Sequence, residues 1–173
     1  GAGSDGSAAA DAGNTILVNT TGTVGTVLGG DQADAITLTA GTVGPVLAGG
    51  GADVIAAGGA AIASIDAGAG NDTATWSAGA VGSVAMGNGS DVVRIASGAD
   101  VSGLTLLDGG DDLTAGDGFI DVLSVDGLTG AVDGSIITNW EEINVANSDV
   151  QVANLVAGAV TVTASTVVAT NLT

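Results

Sequence analysis

An aspartate returns every 19 residues through the first half of this chain, at Asp34, Asp53, Asp72 and Asp91. One interval earlier stands Thr15, and one interval later, with two extra residues, stands Asp112. A glycine cluster leads into each repeat, as in Gly49-Gly50-Gly51-Ala52-Asp53, Gly68-Ala69-Gly70-Asn71-Asp72 and Gly87-Asn88-Gly89-Ser90-Asp91. A short apolar or threonine-rich run comes after each one. A fixed period near 20 is the signature of a solenoid, in which each repeat is one coil that buries its inner face only by stacking on its neighbours.

The columns within the repeat support strands. Two residues after the aspartate stand Leu17, Ile36, Ile55, Ala74 and Val93, and four residues after it Asn19, Leu38, Ala57, Trp76 and Ile95. That spacing of two puts both columns on one face of a strand. Val24, Val43, Ile62 and Val81 fall nine residues after it, and Val27, Val46, Ile65 and Val84 twelve after it, marking a second inward segment. Glycines between the two segments supply turns. Helix is disfavoured by the glycine density, since each interior glycine costs about 1 kcal/mol. The expected fold is all-β: a single-stranded, right-handed parallel β-helix with coils of ~19 residues and coil spacing of ~4.8 Å. Residues 1–13 read as a flexible leader, 14–110 as regular coils, 108–135 as an irregular acidic coil with a turn or protruding loop around Asp126–Gly134, and 136–173 as further coils. The whole reads as a segment of a longer protein.

Composition narrows the function. The chain has 173 residues, 31 of them glycine, with Trp76, Phe119 and Trp140 as its aromatics. A core of small β-branched side chains suits a narrow coil better than a globular domain. Nineteen acids face one base, Arg94, for a net charge of −18. Nucleic acid is therefore not expected as a partner, because phosphate binding draws on Lys and Arg. No apolar run is long enough to insert in a membrane as a helix. The absence of cysteine removes disulfides and thiolate chemistry. A mean hydropathy of +0.55 argues for order despite the charge.

Two chemistries are open to the acids. The Gly-x-Gly-x-Asp tracts look like half of a calcium-binding nonapeptide, which makes Asp53, Asp72 and Asp91 candidate Ca2+ ligands. Asp111 and Asp112, in the acidic segment, are a second candidate pair. Calcium takes six to eight oxygens, and a calcium β-roll carries two such tracts per coil where this chain carries one. The favoured reading is that each aspartate caps its turn by bonding nearby backbone N–H groups, with no cofactor required. Glu141 and Glu142 do not read as a catalytic pair, because adjacent strand residues point to opposite faces. With no His, Lys or Tyr to complete a catalytic set, the chain is not expected to be an enzyme.

Residues 119–145 carry a resemblance. Phe119-Ile120-Asp121-Val122-Leu123-Ser124-Val125, followed by Ile136-Ile137-Thr138-Asn139-Trp140-Glu141-Glu142-Ile143-Asn144-Val145, resembles the passenger domain of bacterial autotransporter adhesins. The resemblance implies a β-helical rod exported through the outer membrane and displayed on the cell surface or secreted. It implies adhesion to a host extracellular-matrix or cell-surface protein, or homotypic association, without catalysis. The alternative is a calcium-binding or surface-layer β-roll; a polysaccharide-active β-helix enzyme stands third.

Overall fold

The computed structural model describes residues 12–110, 118–153 and 158–170. They form a parallel β-solenoid of about seven turns. Strands β1 (Thr15–Val24) and β2 (Val27–Gly30) make the first coil, and β3 (Ala35–Gly50) and β4 (Val54–Ala69) each wrap most of one further coil. The next coil is β5 (Thr73–Val81) with β6 (Ser83–Asn88), followed by β7 (Val92–Ala96), β8 (Ala99–Asp100) and β9 (Leu106–Asp108). Then come β10 (Val122–Asp126), β11 (Thr129–Asp133) and β12 (Ile137–Thr138), β13 (Glu142–Ala146) with β14 (Asp149–Ala153), and β15 (Ala159–Thr163) with β16 (Thr166–Thr170). Every pairing is parallel and joins one coil to the next.

Register obeys the repeat. Ile36 pairs with Ile55, Ile55 with Ala74, and Ala74 with Val93. The same column continues through Leu123 and Ile143. Ile36, Leu38, Val43 and Val46 are fully buried, so the two inward segments of the coil meet in one core. Side-chain sizes compensate between coils: Trp76 stacks directly on Ala57, with Ala74 two residues before it. Its indole N–H donates to the Gly79 carbonyl at 2.9 Å, so the buried ring keeps its polar atom satisfied.

Three expectations need correction. In the first coil, Thr15 pairs with Ala35, which puts Asn14 rather than Thr15 one step before Asp34. Its inward residues are therefore Ile16 and Val18; Leu17 is 65% exposed and Asn19 is exposed. Register shifts between Val18 and Thr23 absorb the extra residue, after which Val24 meets Val43 as the columns require. Second, the segment near Asp126–Gly134 is no protruding loop. It holds β11, which joins β14 and β16 in a separate three-stranded parallel sheet. Third, the coil after Asp91 closes at Asp121, 30 residues on, because Val122 pairs with Val92. The offset between coils grows from 19 at Val92 to 20 at Ala99 and 23 at Leu106, so part of the added length lies before Asp108 and the rest between Asp108 and Asp121. Asp111, Asp112 and Asp117 fall outside the described residues, as do residues 1–11 of the expected leader.

The turn glycines fix how closely coils approach. Gly49, Gly68 and Gly87 share one column with φ of 110°, 104° and 102°. A Cβ at Gly68 would lie 2.0 Å from the Gly49 carbonyl oxygen of the coil before it. Both the left-handed backbone and the contact exclude a side chain. Gly68→Ala is expected to destabilise the fold by at least ~2 kcal/mol, read as a lower urea midpoint. Gly103→Ala, where open space surrounds the new methyl, should leave the midpoint nearly unchanged.

Candidate functional site

The 19-residue column becomes a continuous row of side chains inside one corner of the solenoid. Asp34, Asp53, Asp72 and Asp91 are 0–2% exposed, and Asp121 and Glu141 extend the row at 0% and 5%. Each acid accepts a hydrogen bond from the backbone N–H of the row residue one coil earlier. Asp34 N–H donates to Asp53 Oδ1, Asp53 to Asp72, Asp72 to Asp91 and Asp91 to Asp121, all at 2.7 Å. Asp121 N–H donates to Glu141 Oε2 at 2.6 Å. Asn14 heads the row: its N–H donates to Asp34 Oδ1, and its side-chain amide donates to the Gly29 carbonyl at 3.0 Å.

The main chain runs the other strand of this ladder. The carbonyls of Asp34, Asp53 and Asp72 accept from Val54, Thr73 and Val92 N–H in the next coil. Ordinary parallel pairing thus resumes one residue after the row. At the corner itself, a carboxyl oxygen serves the N–H that no main-chain carbonyl serves. The favoured reading of the column, a backbone cap, is right in its chemistry, but the bond spans coils and does not close the aspartate's own turn.

The second oxygens of the carboxyls differ from the first. Oδ2 of Asp34, Asp53 and Asp72, and Oε1 of Glu141, are buried and make no hydrogen bond. Asp34 Oδ2 lies 2.4 Å from where a Cβ on Gly29 would stand, so a glycine is needed there to admit the carboxyl. Burial pushes the Asp53 carboxyl up to about 6; the bond from Asp34 N–H opposes this, and the Asp72 and Asp34 carboxyls reinforce it. Burial likewise raises Asp72, against the bond from Asp53 N–H. On the surface the opposite holds. The Ser102 hydroxyl and amide hold Asp100 below the usual carboxylate range, and those of Ser135 do the same for Asp133 at the start of a short 3-10 turn.

This geometry bears on calcium. Asp53, Asp72 and Asp91 each commit one oxygen to a backbone N–H. Among the described residues no group of three or more His, Cys, Asp or Glu side chains is arranged to hold a metal ion. The six to eight converging oxygens of a calcium shell are thus not assembled by these residues, and Asp111 and Asp112 lie outside the described residues.

Sequence reasoning missed Asn14, Asp121 and Glu141 as members of the row. For the two acids the signal lay in the strand residues just after them: Asp121-Val122-Leu123 and Glu141-Glu142-Ile143 repeat the pattern of Asp91-Val92-Val93. The Asn139-Trp140-Glu141 motif is a coil-closing device throughout. Asn139 takes φ of 58° and donates to Asp108 Oδ1 at 2.8 Å. Trp140 is fully buried, with its N–H on the Leu107 carbonyl at 3.0 Å. Glu141 joins the row, while Glu142 points out to solvent, so the two glutamates do lie on opposite faces. A shorter row of serines serves another corner: Leu128 N–H donates to Ser148 Oγ at 3.1 Å and Ser148 N–H to Ser165 Oγ at 3.0 Å.

Two outward columns flank the inward ones on the face beside the carboxyl row. One runs Thr15, Ala35, Val54, Thr73, Val92, Val122, Glu142, Ala159; the other Leu17, Thr37, Ala56, Thr75, Arg94, Ser124, Asn144, Thr161. Eight strands at ~4.8 Å spacing make a strip roughly 34 Å long, and its charged residues are Arg94 and Glu142. A cavity of about 50 Å³ between the coils from β9 to β16 is lined by apolar side chains including Leu123, Leu128 and Ile143. No polar group converges on it.

Comparison with family models, with characterised proteins and with solved structures finds no match to this chain.

Removing one carboxyl strands a buried N–H. Asp72→Ala leaves Asp53 N–H without its acceptor and opens space in the corner, so a loss of ~2–4 kcal/mol is expected, measured by urea denaturation. Asp100→Ala, at the surface with Ser102 as its partner, should leave the midpoint nearly in place.

Proposed function

We propose that this chain is a non-enzymatic segment of a surface-displayed adhesin rod, whose lateral face meets a protein on a host cell, in its matrix or on a neighbouring cell. The observation that carries the reading is the strip of two outward columns. In a chain of net charge −18 it is nearly free of charge and is built from Thr, Ala and Val. Small uncharged side chains on a regular sheet give a surface that desolvates cheaply over a long contact. The placement of the acids supports the non-enzymatic part: the row carboxyls are spent on backbone N–H groups, and Glu142 stands apart from Glu141. Display outside the cell, and export through an outer membrane, rest on the resemblance of residues 119–145 to autotransporter passengers. Among the described residues no helix is long and apolar enough to cross a membrane.

The test is binding of the purified chain to host cells, matrix proteins and itself, set against a Thr73→Asp/Thr75→Asp variant. Both threonines are half-exposed on the strip. Wild type should bind at least one of these partners saturably, and the variant should bind at least tenfold more weakly while keeping its circular dichroism. A wild type that binds nothing across the panel, or a variant that binds equally well, counts against the reading.

A further inference from the structure

We propose that Asp53 and Asp72, at the middle of the buried carboxyl row, are proton-binding sites: they keep protons that the unfolded chain releases, and the fold takes up protons as it forms. The inference stands apart from the surface-display reading and rests on the inside of the corner.

The geometry sets two demands that conflict in the ionised form. Each Oδ1 must accept an N–H from the coil before it, which either protonation state can do. Each Oδ2 of Asp53 and Asp72 is buried at 1% residue exposure without a hydrogen bond. A charge there lacks both water and a counter-ion, which is far costlier than a buried neutral hydroxyl. Successive acids also sit one coil apart, ~4.8 Å, so ionising one raises the cost of ionising the next. The groups facing Asp53 are Asp34 from the coil before and Asp72 from the coil after, with Asp91, Asp121 and Glu141 farther along and uncharged Asn14 at the head. No base enters the row: Arg94, the chain's sole base, is exposed on the outer strip.

Proton linkage then has a definite sign. Asp53 has its folded value raised from 3.8 to about 6, so the folded chain holds a proton that the unfolded chain has released across that window. Its stabilising effect is complete below 3.8 and is lost as pH rises through about 6. Asp72 acts in the same direction. Asp100 and Asp133, held low at the surface, act below 3.8 and leave this window to Asp53 and Asp72.

The experiment is a thermal melt of the chain followed by circular dichroism at a series of pH values from about 4 to about 7, with infrared spectroscopy of the folded protein. The melting temperature should fall by several degrees across the series. The carboxylic-acid carbonyl stretch, absent from ionised carboxylates, should persist above the range where surface aspartates have lost it. Asp53→Asn/Asp72→Asn keeps both acceptors, should flatten the slope, and should melt above wild type at neutral pH. Asp31→Asn/Asp66→Asn removes two exposed charges and should leave the slope intact, separating the row from general repulsion. A wild-type melting temperature that is flat or rises with pH overturns the proposal. So does a folded protein at mildly acid pH that lacks the acid stretch, a readout independent of whether the Asn variant folds.

Discussion

The hydrogen bonds that hold this chain together run along its length, from each coil to the next, and at one corner the main chain alone does not complete them. In the straight segments a carbonyl of one coil meets an N–H of its neighbour. At the carboxyl row the N–H is met by a side chain one coil later, at 2.7 Å through the regular part of the stack. A buried N–H left alone costs ~1–3 kcal/mol, so each coil needs an acceptor at that place. Aspartate reaches with one methylene, and where the chain enters the corner after Asn139 and Trp140, glutamate reaches with two. The repeat that dominates the sequence is the trace of this single requirement.

The same requirement explains how the solenoid absorbs irregularity. The coil from Asp91 to Asp121 carries 30 residues where the one before it carries 19 and the one after it 20, yet Val122 lands on Val92 and Leu123 on Val93. The extra length enters in steps, at the turns between paired segments, and the offset is 20 at Ala99 and 23 at Leu107 before the row is met again at Asp121. The lengthened coil alters the core all the same. The second wall divides, β11, β14 and β16 forming a sheet of their own. Leu107, Leu123 and Ile143 then line a small apolar cavity where smaller coils are packed tight. Trp140 is fully buried in this part of the chain and bonds back to Leu107.

The parallel stack, the coil length and most inward columns were legible in the sequence because a period of 19 and a spacing of two leave few alternatives. Legibility failed where the period shifts. The first coil is one residue longer up to its bulge, so counting back 19 residues from Asp34 reached Thr15, and every residue between there and the bulge was turned to the wrong face. Leu17 therefore stands exposed and Val18 buried. Asp121 and Glu141 were hidden by an insertion and by a change of residue type, although the strand pattern after each is preserved. The role of the row was half legible. Its capping chemistry could be argued from aspartate beside glycine turns, but burial on every side depends on the stacked neighbours, which no single repeat displays. The Asn139-Trp140-Glu141 motif, conspicuous in the sequence, turned out to close a coil: its three side chains are occupied by Asp108, Leu107 and Asp121.

Net charge also takes a different meaning once the acids are placed. Asp34, Asp53, Asp72, Asp91, Asp121 and Glu141 lie inside, so the formal −18 overstates what a partner meets. The exposed acids Asp31, Asp66, Asp100 and Asp149 lie off the outward strip, on turns and other walls, while Asp126 stands at the strip's edge, two residues beyond Ser124 on β10. The rod thus separates three environments by strand alternation alone. A residue in the row is sealed from water, its successor stands on a nearly neutral outer strip, and the next belongs to the apolar core. Moving the chain by one residue would exchange all three, bringing a line of carboxyls to the surface and burying the strip. That is what the shifts after Val18 prevent in the first coil. They bring Val24 back into register with Val43, so the inner acid row and the outer neutral strip each keep one identity along the stack.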